Sequence, residues 1–115
     1  MDADRIAVTL TDQNFQTIVL ESEQPVLVAF WEEGYGPWHM LAPEGAALAE
    51  AFRGQAAVAT LDVETEPETP KRYGIQTLPA VLFFKDGRVV DELTGVVDKA
   101  DIAAKLHALT QTSEA

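Results

Sequence analysis

The run Pro25-Val26-Leu27-Val28-Ala29-Phe30-Trp31 constrains this chain more than any other stretch. A strand with one wet face alternates polar and apolar residues. Unbroken apolarity instead suits a strand buried on both faces, at the centre of a parallel or mixed sheet. A second such run, Pro79-Ala80-Val81-Leu82-Phe83-Phe84, predicts a second interior strand. Asp86-Gly87 after it is a two-residue hairpin signal, so Arg88 to Thr94 is expected to return antiparallel.

The remaining segments fit around these strands. Ile6 to Leu10 and Ala56 to Asp62 read as further strands. Thr11 is a candidate cap for a helix whose Phe15, Ile18 and Val19 fall at i, i+3 and i+4. Pro37 suits the first turn of a second helix carrying Met40, Leu41, Leu48 and Phe52 inward, kinked at Pro43 and ended by Gly54. The acidic stretch from Asp62 to Pro70 reads as a solvated loop entering a short helix that ends near Tyr73. Asp98 is a candidate cap for a last helix with Ile102, Leu106 and Leu109 on one face. The order β-α-β-α-β-α-β-β-α predicts one α/β domain over residues 1–115, its core at about 6–110, with helices on both sheet faces.

Composition limits the partners. Eight Lys and Arg face 19 Asp and Glu, a formal net charge of −11. Such a field repels phosphate backbones and anionic headgroups, which argues against nucleic acid and membrane surfaces; its first reading is plain solubility, and the second is attraction to a basic protein partner. No apolar run approaches the roughly 20 residues of a membrane span. The opening Met1-Asp2-Ala3-Asp4-Arg5 lacks the basic and apolar regions of a secretory signal, so a cytoplasmic location is expected. The chain contains no cysteine, which removes disulfides, thiolate metal sites and a cysteine nucleophile of its own.

Several pieces, in order, carry a family resemblance: Pro25-Val26-Leu27-Val28-x-Phe30-Trp31, Gly36-Pro37, Met40-x-Ala42-Pro43, Tyr73-Gly74-Ile75-x-x-x-Pro79, Phe84-Lys85-x-Gly87 and Gly95. From about Val8 to Leu109 the sequence resembles a thioredoxin. The resemblance implies the thioredoxin fold, a central five-stranded mixed sheet flanked by four helices. It also implies a cis Leu78–Pro79 bond and a peptide groove formed by Trp31, Tyr35, Gly36, Pro37, Trp38, Thr77, Leu78, Pro79 and the Gly95 loop.

The same resemblance shows what is replaced. Family chemistry resides in a C-x-x-C at a helix N-terminus, where the dipole lowers the first thiol's pKa. Those cysteine positions read Tyr35 and Trp38. The family's buried aspartate and lysine beneath them match Ala29 and Thr60. Both are smaller, so Trp38 is expected to be mostly enclosed as packing and Tyr35 to stay exposed at the tip. With both sulfurs gone, thiol–disulfide exchange is excluded on this reading, and the chain is expected not to be an enzyme.

Other chemistry finds little support. Tyr35 and His39 share a helical spacing, but a phenol with a pKa near 10 is a poor base unperturbed. Glu32, Glu33 and His39 lack a metal-ligand spacing, and acids before a helix serve its dipole. No metal or other cofactor is expected. The sequence therefore predicts a redox-inactive, thioredoxin-like domain that binds a polypeptide. The alternatives are a structural subunit of a larger assembly, or a disulfide oxidoreductase by family label alone.

Overall fold

The computed structural model describes residues 8–32, 50–78, 80–95 and 99–111. The strands are β1 (Val8–Thr9), β2 (Val26–Trp31), β3 (Ala57–Asp62), β4 (Ala80–Lys85) and β5 (Arg88–Thr94). They form one sheet in the order β1-β3-β2-β4-β5. β3 runs parallel to both β1 and β2, whereas β4 is antiparallel to β2 and to β5. The sheet is therefore mixed, with β2 at its centre.

The apolar runs lie where continuous burial is possible. Every residue of β2 from Val26 to Phe30, and of β4 from Ala80 to Phe84, is buried. Val26, Val28, Phe30, Ala80, Leu82 and Phe84 pack on one face with Leu10, Phe15 and Val19. Leu27, Ala29, Val81 and Phe83 pack on the other with Ile102 and Leu106. Neither face is wet, so neither strand can alternate.

Three helical segments are described where four helices were expected. The first is wound as a π-helix over Gln16–Leu20. Glu21 N–H reaches back to the Gln16 carbonyl at 3.0 Å, while Phe15 and Val19 still face inward as their spacing requires. Thr11 and Asn14 begin it reciprocally: each backbone N–H donates to the other's side-chain oxygen, at 2.7 and 3.0 Å. Helix α1 spans Glu68–Arg72 and helix α2 spans Lys99–Gln111. The expected second helix lies outside the described residues except for Glu50 and Ala51 at its end. Gly54 follows with φ 83°, the left-handed conformation that closes a helix with little strain when no Cβ is present.

The Asp86-Gly87 turn is as expected. Both residues have positive φ, 56° and 79°, and Lys85 pairs with Arg88 across them, the geometry of a tight hairpin turn. Phe83 pairs with Asp91 but Phe84 with Val89, which leaves Val90 as an extra, bulged residue on β5. An edge strand interrupted in this way is a poorer template for pairing with another chain.

Three rings fasten the first core together. Phe15, Tyr73 and Phe84 stand 5.4–5.7 Å apart between centroids, and Phe84 meets both others edge-on. Tyr73, one of the residues that carry the resemblance, thus joins α1 to the sheet.

Candidate functional site

Sheet register decides which residues meet. Phe30 of β2 is the partner of Leu61 on β3 and of Ala80 on β4, and Ala80 is the partner of Thr94 on β5. One rung thus crosses four strands. The chain leaves this rung at Trp31 and Glu32, at Asp62 and Val63, and at Gly95, and enters it from Leu78. All emerge at one end of the sheet, beyond the carboxyl ends of the parallel strands β2 and β3. In open α/β sheets that end is where ligands bind.

Of the residues expected in the groove, Trp31, Leu78 and Gly95 are half-buried there and Thr77 is exposed. The Trp31 carbonyl accepts a hydrogen bond from Val63 N–H at 2.8 Å, fixing the β3 exit against the β2 exit. Gly95 has φ 81°, which frees the chain to turn away from β5. Tyr35, Gly36, Pro37, Trp38 and Pro79 lie outside the described residues, and with them the Leu78–Pro79 bond and the packing expected of Trp38.

One rung deeper, Ala29 pairs with Thr60 on one side and Val81 on the other. Ala29 and Val81 belong to the second core face, with Leu93 packed beside them. The positions matched to the family's aspartate and lysine are therefore neighbours beneath the groove end. Ala29 makes that place apolar.

Sequence reasoning missed the floor beside Trp31. Val63, Pro67, Pro70, Lys71, Ile75 and Gln76, with Gly74, line an open cavity of about 410 Å³. Its walls are the loop after β3 and the helix α1, and its interior is about half polar, with Lys71 and Gln76 beside Val63, the two prolines and Ile75. The signal was present as two prolines and Ile75 near a charged stretch, but the surrounding acids made that stretch read as plain solvated loop. Glu64 and Glu68 are indeed exposed, while Asp62 and Glu66 are half-buried: Asp62 Oδ1 accepts from the neighbouring Glu64 N–H at 2.9 Å, and Glu66 Oε1 accepts from Asp12 N–H, 54 residues away, at 2.8 Å.

Comparison with known proteins decides the family. The thioredoxin family model matches residues 6–108. The chain belongs to the thioredoxin family. It is 43% identical over 96 residues to a thioredoxin of Chlorobaculum thiosulfatiphilum, covering 84% of this chain and 89% of that one. A thioredoxin of Alicyclobacillus acidocaldarius is 40% identical over 104 residues, 90% of this chain and 98% of the relative. A Pseudomonas aeruginosa thioredoxin is 37% identical over 101 residues, 88% and 94% of the two chains.

These relatives correct one expectation. The chain was expected not to be an enzyme because it lacks cysteine, yet its thioredoxin relatives belong to a thiol–disulfide oxidoreductase family. Missing sulfurs bear on which atoms can carry electrons, and do not set the class of the protein. Thioredoxins act on proteins. Among the described residues no helix is long and apolar enough to cross a membrane, and no cluster of His, Asp and Glu is arranged to hold a metal ion.

Proposed function

We propose that this chain works as a single-domain, polypeptide-binding member of the thioredoxin family, using the groove at the carboxyl end of β2 and β3. The observation that carries the reading is the shared rung Leu61–Phe30–Ala80–Thr94, which brings Trp31, Val63, Leu78 and Gly95 to one end of the sheet. An extended segment would run along the backbone before Ala80, as a strand adds to a free edge. By the family resemblance, Trp31 and Tyr35 would supply the aromatic surface that protein contacts favour, with Gly36, Pro37, Thr77 and Pro79 completing the groove. A net charge of −11 favours a basic partner and predicts binding that weakens with salt.

The test uses a permanently unfolded, basic probe, reduced lysozyme whose thiols are blocked with uncharged carbamidomethyl groups and which carries a fluorescent label. The full chain is expected to bind it, and Trp31→Ala and Tyr35→Ala to weaken binding at least fivefold while the variants remain folded. Equal affinity for both variants and the parent would remove the groove from the account.

A second reading rests on the relatives, each named thioredoxin. Disulfide exchange involving this chain would require thiols supplied by another molecule, since it has none. An insulin-reduction assay with a dithiol donor separates the readings. Acceleration by the chain supports oxidoreductase work, whereas probe binding without acceleration supports the binding module.

A further inference from the structure

Helix α1 begins without a cap of its own. Its first flanking residue is Pro67, which offers no side-chain hydrogen bond. Pro70 has no N–H, and Lys71 N–H is used by the Pro67 carbonyl at 3.3 Å. Two donors of the first turn remain, at Glu68 and Thr69. Both go to one residue that enters from far away in sequence.

That residue is Asp12. Its Oδ2 accepts from Glu68 N–H at 3.2 Å and its Oδ1 from Thr69 N–H at 2.9 Å. The buried Thr69 hydroxyl also donates to Oδ1, at 2.7 Å. In return Asp12 N–H donates to Glu66 Oε1 at 2.8 Å, a contact across 54 residues of chain. Asp12 is itself held in place. Leu10 N–H is bonded to the Thr60 carbonyl at 2.8 Å, and the Thr11–Asn14 exchange locks the turn. The anchorage on β3 is thus carried through Asp12 to α1.

Helix α1 forms a wall of the groove-side cavity, through Pro70 and Lys71, and its end sets Gly74 and Ile75 by bonds from Tyr73, Gly74 and Ile75 N–H to the Thr69, Lys71 and Pro70 carbonyls. We propose that Asp12 is a positioning residue for the peptide groove: it fixes α1 against β3, so that the cavity beside Trp31 keeps its shape for a side chain of the bound segment. The proposal rests on the peptide-binding reading above. A helix this short does not hold itself, because nucleation is unfavourable and few internal bonds repay it. Two backbone N–H bonds and one hydroxyl bond donated to a carboxylate are the strong, charge-assisted kind.

The experiment uses the full chain with Asp12→Ala and Asp12→Asn, and Asp91→Ala as a control that breaks the Asp91–Lys105 ion pair elsewhere. Amide exchange is measured by NMR. Asp12→Ala is expected to speed exchange at Tyr73, Gly74 and Ile75 at least tenfold and to leave the β2–β3 amides unchanged. Unchanged exchange at those three amides would overturn the proposal, whether or not any peptide binds. Affinity for the labelled lysozyme probe is read in parallel. It should fall about tenfold in Asp12→Ala, less in Asp12→Asn, whose Oδ1 can still accept from Thr69, and not in Asp91→Ala. Equal losses in the Asp12→Ala and Asp91→Ala chains would mean general loosening and would also overturn it. A parent chain that binds no probe removes the peptide-binding reading, and the exchange result then decides alone whether Asp12 sets the cavity wall.

Discussion

Ala29 of β2 and Thr60 of β3 are register partners, one rung beneath the end of the sheet where Trp31 and Val63 emerge. The resemblance matches these positions to an aspartate and a lysine of the family, and here neither is charged. Ala29 is 6% exposed and packed among Val58, Val81 and Phe83. A charge placed there would leave water without a counter-ion.

The first prediction follows directly. Ala29→Asp alone should destabilise the chain by about 3–5 kcal/mol, the usual result of an uncompensated buried charge. Adding Thr60→Lys should recover part of that loss. Urea denaturation of the two single variants and the double variant reads the coupling, and an Ala29→Asp chain as stable as the parent would contradict the packing described.

The hairpin turn gives a graded test. Gly87 and Gly54 both have positive φ, 79° and 83°. A Cβ on Gly54 would meet nothing within 4 Å, whereas one on Gly87 would lie 2.9 Å from the Leu20 carbonyl oxygen. Gly54→Ala should cost about 1–2 kcal/mol, the left-handed penalty alone. Gly87→Ala should cost clearly more, because backbone on backbone cannot give way. Thermal melts that reverse this order would place the turn wrongly.

The ring cluster should show pairwise coupling. Phe84→Leu and Tyr73→Leu, separately and combined, form a double-mutant cycle across an edge-on pair 5.4 Å apart. The interaction energy is expected at about 0.5–1.5 kcal/mol beyond area burial. Strict additivity in denaturant would show that the rings share only a general apolar surroundings.

Two carboxylates predict the acid limb of stability. At Asp91 the Lys105 hydrogen bond, at 2.8 Å, outweighs burial and, with the Glu92 N–H, holds the carboxyl below its ordinary value of 3.8. At Asp12 burial pushes the carboxyl up, but the Thr69 hydroxyl and the Thr69 and Glu68 amides together pull it below 3.8. A lowered folded pKa gives stability that is complete above the unfolded value and is lost as pH falls through the folded one. Stability should therefore drop as pH falls below about 3.8, and the Asp91→Asn chain should show a shallower drop over that range. Identical acid profiles for the two chains would dismiss the ion pair as a contributor.

Most of the sheet was legible because its signals are local. The runs at Pro25–Trp31 and Pro79–Phe84 could be buried only on both faces, the Asp86-Gly87 pair turns a chain by its own dihedral preferences, and the Phe15, Ile18, Val19 spacing points one way whether the helix is α or π wound. The cavity beside Trp31 was not legible, because prolines among acids look like solvated loop until β3 and α1 are folded against each other.

The missing cysteines, the charge of −11 and the central strands are properties of the chain written residue by residue, and no folding changes them. Tertiary structure alone decided that Leu61, Phe30, Ala80 and Thr94 share a rung, and that Asp12 caps a helix 57 residues away. Strand register and a cap supplied from another element are long-range pairings. They depend on which surfaces exclude water together, and no window of sequence contains both partners.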